Sequence, residues 1–508
     1  MINLSSFIRF HARRTPDAPA IVYDGHVIDY AAFHSRIIRT AGWLIRQSIG
    51  PDDVVAVVMK NSAAFLDVAF AVSHVGAVFL PINFRLSIEE VRYIVEDSGA
   101  KLLLVDEELA NKADVDIATV VVDAEAQHDA SRLGGSDAPD DAAPMQQRAT
   151  SDMFRLMYTS GTTDRPKGVV HSYENFYFKC ADHANVLDIS AATRLLVVGP
   201  LYHVGAFDLP GVAVLWRGGM LAVQRDFEPQ AVLALIERER LDGAWLAPVM
   251  TSALLTHPGR ADHDVSSLRW VVGGGERTPE ERIRSFSAYF SNARYIDAYG
   301  LTESCSGDSF MEAGRELEKI GSTGRATPHV EISIRDDDGR PLPALAEGEI
   351  CLRGPKIFRE YWRDPVKTAA AFVDGWFRTG DVGYLDQDDF LFITDRKKDM
   401  ILSGGENIAS SEVERVIQML PQVAEVAVIG MPDPQWGEAP VAVVVLKPGE
   451  TLDMPALDAH CRRHLAPFKS PRRLVLRDVL PRNPSGKILK RELRNEIDAP
   501  VETTGRVT

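Results

Sequence analysis

The chain has 508 residues, 45% hydrophobic and 25% charged, with 37 Gly, 29 Pro and a formal net charge of −16. That composition excludes a fibre or a disordered chain, and at about 100 to 200 residues per domain the length allows several domains. The acidic balance argues against nucleic acid or an anionic membrane as a broad partner, because both select a basic face, so an anionic ligand must meet local donors.

The first stretch, MINLSSFIRFHARRTPDAPAIVYDG, has Arg9, Arg13 and Arg14 among its apolar residues. It lacks a secretory apolar core, and no later run is long enough to span a bilayer, so the cytoplasm is the expected compartment. Cys180, Cys305, Cys351 and Cys461 make no C-x-x-C pair. That fits a reducing compartment and offers no zinc site.

Across residues 50–300, short apolar runs alternate with amphipathic ones: VVAVVM at 54–59, KLLLV at 101–105, LLVVG at 195–199, AWLAP at 244–248 and RWVVGGG at 269–275. Continuous β-rich runs of this length predict strands covered on both faces, hence parallel sheets with helical crossovers. One crossover is legible in EPQAVLALIERERLDGAWLAP, where Val232, Leu235, Ile236 and Leu241 fall near helical spacing. Residues 126–152, rich in Ala, Asp, Gly and Pro, read as a surface loop.

The run YTSGTTDRPKGVVHS at 158–172 follows. Gly, Ser and Thr let backbone N–H groups converge on phosphate oxygens, and a lysine adds a donor where charge is densest. It is not a Walker loop, because Pro166 replaces the glycine before Lys167 and Gly168 follows it. A plain surface turn is the competing reading.

After residue 320 the texture changes to HVEISIRDDDGRPLPALAEGEICLRGP, two alternating runs around a DDDGR turn, which predicts an antiparallel β portion. From ITDRKKDMILSGGENIASSEVERVIQML onward the chain reads as a compact α+β unit. Ser411 and Glu414 have capping-box spacing, Pro421 follows the helix end, and a second helix is expected near 455–465.

Four further stretches, DAYGLTES (297–304), WFRTGD (376–381), DRKKDMILSGGENIASSEVE (395–414) and PRNPSGKILKREL (481–493), join the loop at 158–168. In order and spacing they resemble the adenylate-forming acyl-CoA synthetases, the superfamily that also holds luciferases and peptide-synthetase adenylation domains. The resemblance runs from RTPDAPAIVYDG to Lys487. It implies an α/β protein. Residues 1–395 would be an ATP- and acyl-binding domain of two parallel-sheet subdomains and a small antiparallel β-barrel, and residues 396–508 a mobile α+β domain carrying the catalytic lysine.

The same resemblance assigns residues. Thr159, Ser160, Gly161, Thr162, Thr163 and Lys167 would hold the β- and γ-phosphates of ATP, with Asp164 standing where relatives usually carry glycine. Asp297 and Tyr299 would meet the adenine, with Ala298, Gly300 and Thr302 in the same motif and Gly273, Gly274, Gly275 and Glu276 as the opposing wall. Glu303 matches a Mg2+ ligand, Asp381 the acceptor of the ribose hydroxyls, and Arg396 a neighbour of ribose and α-phosphate. His203, in PLYHVGAF, matches a residue beside the acyl carboxylate.

Lys487 would bridge carboxylate and α-phosphate in the first half-reaction. Lys398 would be the hinge about which the C-terminal domain turns for the second, bringing Gly404 and Gly405 to line a pantetheine tunnel. Arg85, Trp436, Phe468 and Arg472 match contacts to the CoA nucleotide, and Ser470 stands where some relatives have a basic residue.

The implied reaction is AMP-forming ligation of a carboxylic acid to coenzyme A, using ATP and Mg2+. The rivals are a stand-alone enzyme loading an acyl carrier protein and a non-catalytic nucleotide-binding regulator; a homodimer is admitted as the assembly. The acyl pocket would be walled by Tyr202–Val212, Trp245–Met250 and Ser304–Asp308. Phe207, Trp245 and Met250 favour an apolar acid and Gly205, Ala206, Gly211 and Ala298 leave room, so a medium- or long-chain fatty acid or a bulky aryl or alicyclic acid is expected. Asp208 keeps an amino-acid substrate open.

Overall fold

The computed structural model describes residues 2–134, 143–159, 166–274, 278, 280–397, 399–403, 406–433, 436–482 and 488–498. Each apolar run named above carries a strand: Val54–Val58, Leu102–Asp106, Arg194–Val197, Gly243–Trp245 and Trp270–Gly274. They fall into two sheets. The first runs in the order Ala118–Val122, Leu102–Asp106, Val54–Val58, Val78–Pro81, Met153–Thr159, Lys167–Ser172. Its neighbours are parallel except the last pair.

The second sheet has nine strands, of which six are consecutive and parallel: Arg294–Tyr299, Trp270–Gly274, Gly243–Trp245, Arg194–Val197, Met220–Val223 and Pro19–Tyr23. Antiparallel strands close both edges. From Arg194–Val197 the chain steps to Met220–Val223 on one side and then returns to Gly243–Trp245 on the other, so strand order reverses at that gap. In open α/β sheets the crevice at the carboxyl ends of such strands is where ligands bind.

Helix Ala63–His74 is buried along its whole length, as an all-round apolar helix must be. Its Phe65 and Phe70 share one core with Val55 and Val57 of the first sheet and Leu195 and Val197 of the second. Each such side chain contributes about 1.5 to 3 kcal/mol by leaving water. The expected crossover is helix Pro229–Glu239; Glu228 caps it, accepting from the N–H groups of Gln230 and Ala231, and Val232, Leu235 and Ile236 are buried.

Two local expectations are corrected. Residues 126–152 are not simply a loop, because the helix Ala124–His128, capped by Asp123, and a 3-10 turn, Ala130–Gly134, occupy the start. Ala126 and Ala130 are buried there; small side chains let backbone approach closely, which a count of large apolar residues overlooks. The Ser411 capping box does not form. The helix is Ser410–Gln418, with Ala409 at its N-cap making no side-chain bond. Asp395 serves instead, its Oδ2 accepting from Ser410 N (2.5 Å) and Oγ (2.6 Å). Glu414 turns away to accept from Val428 N (2.7 Å) and pair with Lys490 (2.8 Å).

Strands within 331–396 form a small five-stranded sheet, in which Phe372–Val373 and Trp376–Leu385 pair antiparallel. DDDGR closes a tight turn, with Arg340 N donating to Asp336 Oδ1 (2.7 Å) and Gly339 at φ +81.

The chain divides into two compact units. One holds residues 1–333, 351–378 and 386–392, the other 334–350, 379–385 and 393–508. In the second, Val423–Asp433 and Gly437–Leu446 form a long antiparallel pair with Arg473–Leu476 parallel on the latter, covered by Ser410–Gln418 and Met454–His464. Among the described residues no helix is long and apolar enough to cross a membrane.

Candidate active site

In the first unit, four segments meet at the carboxyl ends of the parallel strands. Trp270–Gly274 and Arg294–Tyr299 are in register with Gly273 opposite Asp297 and Gly274 opposite Ala298, so these two glycines and the DAY residues lie side by side. Glycine is needed there: a Cβ on Gly274 would fall 2.7 Å from the Ala298 carbonyl, and one on Gly300 would fall 2.2 Å from Gly307 N. Asp297 is buried, and its Oδ1 accepts from Thr278 Oγ1 (2.7 Å). Thr278 escaped the sequence reading; it follows RWVVGGG in the sequence, where nothing marks one hydroxyl above another. Gly275 and Glu276 lie outside the described residues.

Of the phosphate loop, Ser160, Gly161, Thr162, Thr163 and Asp164 also lie outside. Its two ends are described. Thr159 Oγ1 is buried with no hydrogen-bond partner among the described residues, the condition of a group whose partner is a ligand. At the other end Lys167 Nζ donates to Tyr361 Oη (2.6 Å), which donates to Glu303 Oε1 (2.9 Å), and Lys167 and Glu303 are themselves 3.1 Å apart.

Burial and the neighbouring Glu303 charge raise the Tyr361 phenol, so it stays a donor. Tyr361, in REYWRD, is a second residue the sequence did not single out. Glu303 and Thr302 ride on the short turn Thr302–Ser304. Among the described residues no group of three or more His, Cys, Asp or Glu could hold a metal. A single hard carboxylate is nonetheless the donor set Mg2+ uses when phosphates and water complete its shell.

The acyl segment follows Arg194–Val197. His203 caps the turn Val204–Ala206, its Nδ1 accepting from Gly205 N (3.0 Å). Burial lowers its pKa, against the opposing charge of Asp208. The imidazole is therefore neutral with its proton on Nε2. Trp245 ends the adjacent strand across the switch point, its ring 6.2 Å from that of His203. The indole lies so close to Gly199 and Gly205 that a Cβ on either would fall 2.4 Å from it. Asp208 is fully buried and ion-paired with Arg155 (2.7 Å) and Lys179 (3.3 Å), so its charge is already matched within the fold.

In the second unit Asp381 is buried and Arg396 Nε stands 3.4 Å from its Oδ1, so the two residues that the sequence resemblance assigned to the ribose lie together. Their backbone is fixed by contacts the sequence did not predict: Asp381 N donates to Thr379 Oγ1 (3.1 Å), and Lys397 pairs with Glu349 (3.1 Å) and Asp337 (2.6 Å). Arg472 lies over the Trp436 ring at 5.4 Å, and Phe468 packs beside the C-terminal core. Arg85 belongs to the first unit and stacks on Phe84. Ser470 is structural, donating to Asp458 (2.7 Å). Lys398, Gly404, Gly405 and Lys487 lie outside the described residues.

A paired carboxylate and lysine, together with a neutral histidine and an indole at the strand switch point, suit an enzyme that takes a phosphorylated ligand and an apolar one. Comparison with known proteins defines the class. The family described as AMP-binding enzyme matches residues 8–362, and the AMP-binding enzyme C-terminal domain matches 412–487. The chain is 37% identical to a feruloyl-CoA synthase of Amycolatopsis sp over 484 residues, covering 95% of this chain and 96% of that one. It is 36% identical to a long-chain-fatty-acid–CoA ligase of Mycobacterium tuberculosis, covering 99% and 100%. The solved structure of O-succinylbenzoate coenzyme A synthetase from Bacillus subtilis in complex with ATP and magnesium superimposes with a TM-score of 0.86 at 29% identity, over 97% of this chain and 99% of that one. The chain belongs to the AMP-binding enzymes, among the AMP-forming acid–CoA ligases.

Proposed function

We propose that this ligase activates a compact, largely apolar acid, aryl, alicyclic or medium-chain, in preference to a long-chain fatty acid. The observation that carries the reading is Trp245, whose indole fills the groove between Gly199 and Gly205 at the switch point. A tail running past His203 would have to displace that ring. The relatives named for a feruloyl group and for long-chain fatty acids leave both tail classes open, and the indole favours the former. An ammonium-bearing substrate is disfavoured because the carboxylate nearest the acyl segment, Asp208, already faces two buried cations.

In this reading Thr159, the loop at 160–163 and Lys167 take the β- and γ-phosphates. Asp297 with Thr278, beside Gly274, takes the adenine, and Asp381 with Arg396 the ribose. Glu303 would hold Mg2+, whose charge, when bound, offsets that of the phosphoryl oxygens. The neutral His203 Nε2–H is a donor for the acid's carboxylate, holding one oxygen while the other faces the α-phosphorus; orientation of this kind accounts for much of such a rate enhancement. Lys487 and the Lys398 hinge divide the two half-reactions, adenylation and transfer to the CoA thiol. The four cysteines, all buried thiols, fit work in a reducing compartment.

The test is pyrophosphate release across a panel of acids, followed by thioester formation with free CoA. Cinnamic-type, cyclohexane and medium-chain acids are expected to exceed a sixteen-carbon acid about tenfold or more in kcat/KM. A preference for the long chain would overturn the assignment of Trp245. Adenylate formation without transfer to free CoA would move the acceptor to a carrier protein.

A further inference from the structure

Three charged side chains sit deep in the first unit without contacting any proposed ligand. Arg155, Lys179 and Asp208 are 1%, 0% and 0% exposed. Burial would raise the Asp208 carboxyl, but the charges of Arg155 and Lys179 outweigh it and hold the group ionised below its ordinary range. Such clusters are poor devices for stability, because desolvation cancels most of the attraction and apolar replacements of similar volume are often as stable. Their retention calls for another role, and their connections indicate one.

Arg155 lies on Met153–Thr159, the strand entering the phosphate loop, and is the register partner of His171 on Lys167–Ser172, the strand leaving it. Arg155 Nε and Nη2 donate to His171 Nδ1 (3.1 and 3.0 Å). That fixes the tautomer, so His171 Nε2 donates to the Thr302 carbonyl (2.6 Å), one residue before Glu303. His183 also lies between the two segments, its ring nitrogens facing the carbonyls of Asp208 (3.0 Å) and Ser306 (3.3 Å); burial and the Lys356 and Lys179 charges lower its pKa well below the ordinary value, so the neutral ring has one N–H and donates to one of the two carbonyls. The continuous route runs from Asp208 on the acyl segment through Arg155 and His171 to Thr302, on the turn that carries Glu303. The turn needs holding: Cys305 and Ser306, neither a glycine, take φ of +56 and +65, a conformation that persists only when its surroundings enforce it.

We propose that Asp208, Arg155 and His171 are positioning residues for adenylation, locking the acyl segment at His203 to the turn at Glu303 so that acid and Mg2+–ATP are set against each other by one buried network. The proposal rests on the roles given above to Glu303 and His203. An in-line displacement is sensitive to misplacement of about 1 Å, whereas transfer of an acyl group already adenylated no longer needs the Glu303 turn aligned with the acid. The network should therefore matter to the first half-reaction and hardly to the second.

The experiment compares His171→Ala, Asp208→Asn and the triple variant Arg155→Met/Lys179→Met/Asp208→Leu by pyrophosphate exchange, by the Mg2+ concentration at half-maximal rate, and by thioester formation from supplied acyl-adenylate. The triple variant removes all three charges together, so it is expected to fold as well as the parent. Its adenylation kcat should still fall about tenfold or more, with thioester formation within about twofold. His171→Ala, which strips the Thr302 carbonyl of its donor, should raise the Mg2+ requirement about five- to tenfold. Equal loss in both half-reactions, or parental adenylation in the folded triple variant, overturns the proposal. Glu303→Gln run alongside separates the two failures. If it adenylates normally, the Glu303 assignment falls; if it is inactive while the triple variant is normal, only the positioning role falls.

Discussion

Replacing Trp245 by Ala should convert the enzyme toward longer acids. The indole occupies the space that Gly199 and Gly205 would otherwise open, since even one carbon added to either glycine meets it at 2.4 Å. Removing the ring gives room for about three further methylenes, and at about 0.8 kcal/mol for each one buried this comes to about 2.4 kcal/mol, or roughly 60-fold in kcat/KM. Short or compact acids lose the same wall and should weaken by about 1 to 3 kcal/mol, about 5- to 150-fold. The ring borders the crevice and is only part-buried, so the loss in stability should stay below the 3 to 5 kcal/mol or so of a closed-core Trp→Ala change. The assay is kcat/KM for pyrophosphate release over straight-chain acids of increasing length, with the unfolding midpoint measured in parallel. A ratio of long to short acids that moves by less than about threefold in a folded variant would refute the claim that the indole sets the depth of the pocket.

Tyr361→Phe removes the donor to Glu303 and the acceptor for Lys167; kcat/KM for ATP should fall about 5- to 20-fold with the unfolding midpoint little changed, and an unaltered value would show that the contact is idle. Thr278→Val leaves Asp297 Oδ1 without its 2.7 Å donor, so KM for ATP should rise about fivefold while the CoA-dependent step is unaffected, as single-turnover kinetics would reveal. Stability should decline in acid. Burial, reinforced by the Arg155 charge, lowers His171 from 6.5 to about 3. Above about pH 6.5 neither state protonates it and nothing is lost; below that the unfolded chain takes a proton the folded chain refuses, at about 1.4 kcal/mol per pH unit. Urea midpoints at about pH 7.5 and about pH 5.5 should separate accordingly, and His171→Leu should narrow the gap; an equal gap in that variant would contradict the buried neutral state.

The parts of the fold that were legible are those in which a local pattern and the tertiary environment ask for the same residues. A strand covered on both faces must be apolar throughout, and Val54–Val58 and Leu102–Asp106 read directly as such. The pairing of Gly273 and Gly274 with Asp297 and Ala298 was legible for a local reason, since each pair sits at the end of an apolar run that reads as a strand. What escaped is contact at a distance. Glu303 and Tyr361 are 58 residues apart and Thr278 and Asp297 are 19 apart, so no periodicity joins them. The capping box failed for a related reason. Ser411 and Glu414 have the right spacing, yet Asp395 and Lys490, brought in by the fold, offer the helix start and the glutamate better partners.

The buried charges carry the more useful lesson. Arg155 in MFRLM and Asp208 in AFDLP each break an apolar run that would pack better without them. A sequence that specifies one structure normally agrees with itself at every level, and its local disagreements gather where function imposes a cost. Arg155 lies on the strand Met153–Thr159 and bonds His171 on the paired strand Lys167–Ser172, and Asp208 lies five residues beyond His203. The two exceptions to the pattern are therefore the two partners of one buried ion pair, the pair on which the proposed positioning role rests.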